Sequence, residues 1–338
     1  MENLLLAWQE FVKGKRGKRD VQEFSRNLFD NILQLQSELA NKTYKHGDYF
    51  AFNISDPKPR HIHKARVRDR LVHHAVYRVL YPFFDRKFIA DSFSCRLNRG
   101  THKALNRFRT MFYKMSRNNT RTCWVLKLDI KKFFASIDQA RLLIILKNYI
   151  LDTDILWLLE EIIGSFNLSV PSGHLPSPGE NNNGDDKGLP LGNLTSQLFC
   201  NIYMNELDQF VKHDLKAKYY IRYADDFVLL SGKKEWLIER VPEIAQFLKE
   251  RLCLALHPDK VRIKTFASGV DFLGWVHFPY HRVLRSATKR RVMRRIGVHL
   301  TKETLQSYLG LLKHGNAFKL QEQAYKEYLK VYDTGKMG

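Results

Sequence analysis

The amino-acid sequence predicts an α+β fold, a mixed sheet with helices packed on one face, and three observations carry that expectation. Residues 124–130 and 219–231 are short, apolar, β-prone runs set far apart in the chain. Apolar residues at helical spacings fill the intervals around them, so helices and strands alternate irregularly. A length of 338 residues allows two or three packed lobes and argues against one small domain.

The elements follow in order. Phe24, Leu28, Ile32, Leu35 and Leu39 recur at three- and four-residue spacings, which makes the first forty or so residues helical around the basic loop Lys13-Gly14-Lys15-Arg16-Gly17-Lys18-Arg19. That loop either touches phosphate or is simply solvated. Over residues 44–62, Tyr44, Tyr49, Phe50 and Phe52 alternate loosely with polar residues while Pro57 and Pro59 exclude a helix, so a strand or hairpin is expected. A helix over about 68–80 should end near Pro82. The strand at 124–130 precedes helices near 139–150 and 155–163, with Asp138 placed as an N-cap. Prolines, glycines and Asn181-Asn182-Asn183 make 170–187 a long surface loop. A helix over 195–212, a hairpin over 219–231, a helix near 236–251 and strands at 261–266 and 270–278 complete this part. Beyond Phe278 the composition shifts: Arg282, Arg285, Lys289, Arg290, Arg291, Arg294 and Arg295 occur between His281 and Leu300 without one acid. The expected division is a helical basic extension over 1–43, a core over 44–280 and a small helical basic lobe over 281–338.

Lys and Arg number 56 against 35 Asp and Glu, a net charge of +21 spread along the chain. A polyanionic partner follows from that balance, because each phosphate neutralised by a basic side chain releases condensed counterions. Runs such as Leu142-Leu143-Ile144-Ile145-Leu146 fall well short of the ~20 residues that span a bilayer, and no secretory leader pattern opens the chain, so a cytoplasmic protein without a membrane partner is expected. Cys95, Cys123, Cys200 and Cys253 are scattered, which suits neither a zinc cluster nor a disulfide framework; they read as small buried apolar residues.

Two apolar arms in Tyr220-Ile221-Arg222-Tyr223-Ala224-Asp225-Asp226-Phe227-Val228-Leu229-Leu230 flank a turn bearing adjacent carboxylates. Like charges at the end of a buried element are costly, and a divalent cation removes that cost. Asp129, which ends the other β-prone run, is the candidate third carboxylate, and such a set suits two metal ions acting on an attacking hydroxyl and a leaving pyrophosphate. Gly188-Leu189-Pro190-Leu191-Gly192-Asn193-Leu194-Thr195-Ser196-Gln197 leads into a helix with glycines that let backbone approach a ligand closely.

Order and spacing of these motifs resemble those of reverse transcriptases. Leu128-Asp129-Ile130-Lys131-Lys132-Phe133-Phe134 resembles their first palm motif, Tyr223-Ala224-Asp225-Asp226 their metal-binding hairpin, and Phe272-Leu273-Gly274-Trp275 their primer grip. Lys58-Pro59-Arg60, Arg68-Asp69-Arg70, Ser92-Phe93 and Arg99-Gly100-Thr101-His102 look like the fingers motifs of the bacterial group II intron lineage. Similarity runs from about Tyr44 to about Asn316. Leu191 to Gln197 departs from the intron pattern of Gln-Gly followed three residues later by Ser-Pro, and is similar to reverse transcriptases of diversity-generating retroelements.

The resemblance implies a right-hand polymerase with fingers, a ferredoxin-like palm and a small helical thumb, encoded by a bacterium or phage. It implies an RNA-directed DNA polymerase that copies a template-repeat RNA into cDNA from deoxynucleoside triphosphates, with errors concentrated at adenines, holds an RNA/DNA hybrid and works with a small basic oligomeric accessory protein. Asp129 and Asp225 would hold two Mg²⁺ ions, with Asp226 contributing more loosely and Mn²⁺ as a substitute. Lys260 matches the position proposed to protonate departing pyrophosphate, with a solvated lysine as the alternative. Phe134 would stand beneath the incoming sugar and exclude a 2′-hydroxyl. Arg60 is the choice for the triphosphate, because a guanidinium forks onto phosphate oxygens, and Lys64, Arg66 or Arg68 could substitute. Ile130, Leu191, Gly192 and Gln197 complete the nucleotide site, with Leu191 where many relatives carry glutamine. Phe272, Leu273, Gly274 and Trp275, together with Arg285, Arg290 and Arg291, would meet nucleic acid. The alternatives are an intron-like or antiphage reverse transcriptase without a mutagenic role, and an inactive RNA-binding scaffold.

Overall fold

A computed structural model of the chain describes residues 1–55, 59–166, 187–298 and 301–334. Nine strands are described: β1 (Tyr49–Ile54), β2 (Arg60–Ala65), β3 (Trp124–Asp129), β4 (Tyr219–Tyr223), β5 (Asp226–Ser231), β6 (Arg262–Thr265), β7 (Val270–Phe272), β8 (Trp275–His277) and β9 (Arg282–Leu284). They form the hairpin β1-β2, a central antiparallel sheet in the order β4-β5-β3-β6, and the meander β7-β8-β9.

The central sheet is buried on both faces, and its side-chain alternation shows why. Leu126, Leu128, Tyr220, Phe227 and Leu229 join one apolar cluster beneath helix Lys234–Leu252, while Val125, Ile221, Val228 and Leu230 join another beneath helix Thr101–Met115. Helices therefore cover both faces where the sequence suggested one. Near-continuous apolar runs such as Phe227-Val228-Leu229-Leu230 are the pattern a doubly covered strand requires.

Helices Glu2–Phe11, Arg19–Arg26 and Leu28–Ala40 surround helix Val67–Asp85 and share its core through Leu4, Phe11, Val21 and Leu35. Helix Val67–Asp85 runs past the expected stop and takes Pro82 into its last turn, at the cost of the backbone hydrogen bond that the proline cannot donate. Asp138 caps helix Gln139–Lys147 as expected, its carboxylate accepting the Arg141 N–H at 2.7 Å. The expected loop at 170–187 lies outside the described residues except for Lys187. Of the cysteines, Cys123 and Cys200 are buried but Cys95 and Cys253 are exposed. Among the described residues no helix is long and apolar enough to cross a membrane.

Helices Ser286–Val298, Lys302–Leu312 and Phe318–Thr334 pack around Val292, Ile296, Leu305 and Ala324. Their junction with the sheet is polar and tight. Arg282 donates to the carbonyl of His314 and to Asn106 Oδ1 at 3.3 Å, and Gly315 lies so close to the Trp275 ring that any Cβ there would collide with it. His277 is buried beside Arg282 and against the Phe108 ring, and burial first, then Arg282 and Arg109, push its pKa down to about 3 from 6.5. A histidine held neutral in the fold stabilises fully above its unfolded pKa, and that contribution disappears as pH falls from 6.5 towards 3. The thermal midpoint is therefore expected to fall with acidification across this window, more steeply in the wild type than in His277→Phe; equal slopes would show that His277 does not carry the effect.

Candidate active site

Strand register brings the acidic residues together. β3 and β5 pair antiparallel with Asp129 directly opposite Asp226, and β4 turns into β5 through Tyr223-Ala224-Asp225-Asp226, so Asp225 stands at the bend one residue from that pair. The turn needs a positive φ at Ala224 (55°), a conformation that costs a non-glycine residue about 1 kcal/mol. Arg222 holds it there.

Arg222 is fully buried on β4, with its guanidinium forked onto Asp208 at 2.7 Å through both Nε and Nη2. It also donates to Ser92 Oγ at 3.0 Å and to the Ala224 carbonyl at 3.1 Å, while Tyr220 donates to Asp208 at 2.7 Å. One side chain thus ties the acidic turn to helix Leu194–Gln209 and to the segment around Ser92.

At the strand ends each carboxylate faces an ammonium. Lys260 donates to Asp129 Oδ1 at 2.9 Å, and Lys127 lies 3.1 Å from Asp226 Oδ2. Asp226 Oδ1 is buried without a partner. Burial above all, opposed by Lys127 and reinforced by the charges of Asp129 and Asp225, pushes the Asp226 carboxyl up to about 6. Among the described residues no three His, Cys, Asp or Glu side chains stand in metal-binding geometry. The chemistry nevertheless suits a hard cation: the donors are carboxylate oxygens, one buried oxygen of Asp226 has no partner, and Asp129 and Asp226 each pair with a single lysine that a cation could displace.

The neighbouring segments sort the other candidates. Phe133 is in the core and Phe134 is half-buried, the two rings meeting edge to face at 5.5 Å. The Phe134 carbonyl accepts the Leu189 N–H at 2.9 Å, which seats the glycine-bearing segment beside Asp129's strand. The half-buried Leu191 accepts the His63 N–H through its carbonyl at 2.9 Å. Asn193 bonds the carbonyl of His63 at 2.8 Å and the N–H of Ala65 at 3.3 Å, so this segment clips β2 to helix Leu194–Gln209. Gly192 has φ 112°, and a Cβ there would meet Ile62 at 2.8 Å, so the close approach requires glycine. Gln197 is half-buried on the first turns of that helix.

Arg60 is exposed on β2 and has no ion-pair partner among the described residues. Arg68 is occupied elsewhere, by Glu38, by the Lys45 carbonyl at 3.0 Å and by the Tyr44 ring. Lys64 is held by Asp20 at 2.6 Å and Arg66 by Asp48 at 3.1 Å. The side chains of Ile130, Phe272 and Trp275 are buried in the core, and Leu273 and Gly274, both at positive φ, form the tip of a two-residue turn. Arg285 pairs with Asp271 at 2.8 Å and its N–H donates to the Gly274 carbonyl at 3.0 Å. Arg290 is exposed and Arg291 half-buried on helix Ser286–Val298.

Sequence reasoning did not single out Arg222, Asp208 or Lys127. A charged residue inside an apolar strand is itself the signal, because it can be buried there only with a partner.

The family model "Reverse transcriptase (RNA-dependent DNA polymerase)" matches residues 53–277. Protein YkfC of Escherichia coli K12 is 26% identical over 273 residues, covering 71% of this chain and 67% of that protein. The group II intron-encoded protein LtrA of Lactococcus lactis is 25% identical over 288 residues, covering 66% of this chain and 44% of LtrA. Telomerase from Candida albicans, solved with a fragment of telomeric RNA, superposes with a TM-score of 0.51 at 14% identity, over 83% of this chain and 54% of the telomerase. The chain thus spans two thirds of YkfC but less than half of LtrA.

Removing the buried counter-ion tests the support of the acidic turn. Asp208→Asn should lower folding stability by about 3–5 kcal/mol, because it leaves a buried guanidinium uncompensated; a loss below about 1 kcal/mol in chemical denaturation would contradict this account of Arg222.

Proposed function

Because the chain belongs to the reverse transcriptase (RNA-dependent DNA polymerase) family, we propose that it copies an RNA template into cDNA by nucleotidyl transfer at Asp129, Asp225 and Asp226. The observation that carries this reading is the β3–β5 register, which sets Asp129 opposite Asp226 beside the Asp225 bend. Two Mg²⁺ ions held by these carboxylates, or Mn²⁺ in their place, would supply activation of the primer 3′-hydroxyl and neutralisation of the departing pyrophosphate. An inactive RNA-binding scaffold would have no use for a buried, unpartnered carboxylate oxygen at this place.

The chain's own residues do the rest. Arg60, exposed and without an ion-pair partner among the described residues, is the guanidinium free to take the triphosphate, whereas Lys64, Arg66 and Arg68 are engaged. Phe134, half-buried just after the Asp129 strand, would sit beneath the incoming sugar, with Phe133 in the core. Lys260, bonded to Asp129, would deliver a proton to the leaving group. The Leu273-Gly274 turn and the basic helix Ser286–Val298 would meet the RNA/DNA hybrid.

Within this class we place the chain with diversity-generating retroelements, on the sequence Leu191-Gly192-Asn193-Leu194-Thr195-Ser196-Gln197. That reading brings a template-repeat RNA, a small basic oligomeric accessory protein and errors at adenines. Leu191 supplies the physical reason for low fidelity: an apolar side chain checks base-pair geometry less strictly than a hydrogen-bonding one.

Primer extension on an RNA template with Mg²⁺ and deoxynucleoside triphosphates, followed by sequencing of the cDNA, tests both levels. The wild type should extend the primer, and Asp225→Asn should slow extension about a thousand-fold, equivalent to ~4 kcal/mol in the barrier. Leu191→Gln should reduce misincorporation opposite adenine. Absence of extension by the wild type contradicts the polymerase reading, efficient wild-type extension without excess errors opposite adenine contradicts the mutagenic one and favours an intron-like enzyme, and an unchanged error pattern in Leu191→Gln removes Leu191 as the cause.

A further inference from the structure

Lys127 lies between two parts of the proposed site that are distant in sequence. It precedes Asp129 by two residues on β3, so both side chains project from the same face, and it pairs in register with Val228, one diagonal step from Asp226. Its ammonium reaches Asp226 Oδ2 at 3.1 Å and also donates to the backbone carbonyl of Asp271 at 2.9 Å. Asp271 is the middle residue of β7, and its carboxylate is gripped by Arg285, whose own N–H holds the Gly274 carbonyl. Asp226, Lys127, Asp271, Arg285 and Gly274 thus form one chain of polar contacts from the acidic turn to the tip of the β7-β8 hairpin. Both members of the Lys127–Asp226 pair are about four-fifths covered, so solvent screening weakens this link less than it would a surface ion pair.

We propose that Lys127 is a positioning residue that fixes the β7-β8 hairpin, and with it the primer terminus, relative to the acidic turn. The inference rests on the polymerase reading above. A lysine suits the task because a compact ammonium with three donors satisfies a carboxylate and a carbonyl at once. Methionine at this position would keep most of the volume but make neither bond. Removing Asp226's charge alone leaves the bond from Lys127 to the Asp271 carbonyl in place, so the two substitutions separate hairpin anchoring from metal chemistry.

The test is the affinity of the full chain for a fluorescent RNA/DNA primer–template, read by anisotropy in EDTA so that no turnover or bound metal contributes, alongside thermal melting. Lys127→Met should weaken binding about tenfold, and Lys127→Arg should recover part of the loss. If Lys127→Met also melts early, because Asp226 is left buried without its counter-charge, Lys127→Met with Asp226→Asn removes that charge and should still bind about tenfold more weakly than Asp226→Asn alone. Wild-type affinity in a folded Lys127→Met, or equal affinity of the double variant and Asp226→Asn, overturns the proposal. Failure of the wild type itself to bind the primer–template would instead count against the polymerase reading.

Discussion

The arrangement depends on one backbone constraint, the antiparallel pairing of β3 with β5. A sheet register is specified residue by residue, because a slip of one would turn every side chain to the opposite face. Here both faces are apolar and differently filled, with Leu126 and Leu128 on one side and Val125 on the other, so a slipped register would empty one core and crowd the other. The register that satisfies both cores is also the one that sets Asp129 against Asp226. Packing energy thereby offsets the cost of crowding carboxylates where little water reaches them. The raised pKa of Asp226 and its unpartnered oxygen record the part of that cost that remains.

Two basic side chains transmit this constraint outward. Arg222 binds the turn to helix Leu194–Gln209 and to Ser92, so the bend with its strained Ala224 cannot relax independently. Lys127 connects the opposite side of the site to the β7-β8 hairpin. From there Arg282, Trp275 and Gly315 lead to the three C-terminal helices. The polypeptide carries a large positive excess, yet Arg222 and Lys127, beside the acidic turn, serve its geometry through bonds to neighbouring elements.

Much of this was legible in the amino-acid sequence. Strand-forming runs ending or bending on aspartates located both halves of the acidic cluster, and the apolar periodicities located the helices around it. The burial of both sheet faces was less legible, because a continuous apolar run reads alike in a strand covered on one side or two. Phe272 and Trp275 illustrate a different limit: aromatic residues at a nucleic-acid motif look the same whether they stack on a base or fill a core, and only the position of Gly315 and of helix Thr101–Met115 decides for the core. Arg222 and Asp208, or Lys127 and Asp271, gain their meaning from contacts between elements, which no spacing within one element reveals.

The most direct measurement of the central claim is binding of Mn²⁺, followed by electron paramagnetic resonance, to the chain in complex with primer–template and nucleotide. If Asp129 and Asp226 face one another across the strand pair as described, Asp129→Asn and Asp226→Asn should each deplete the same bound population, despite their separation in the chain. Full retention of that population in either variant would contradict the shared site.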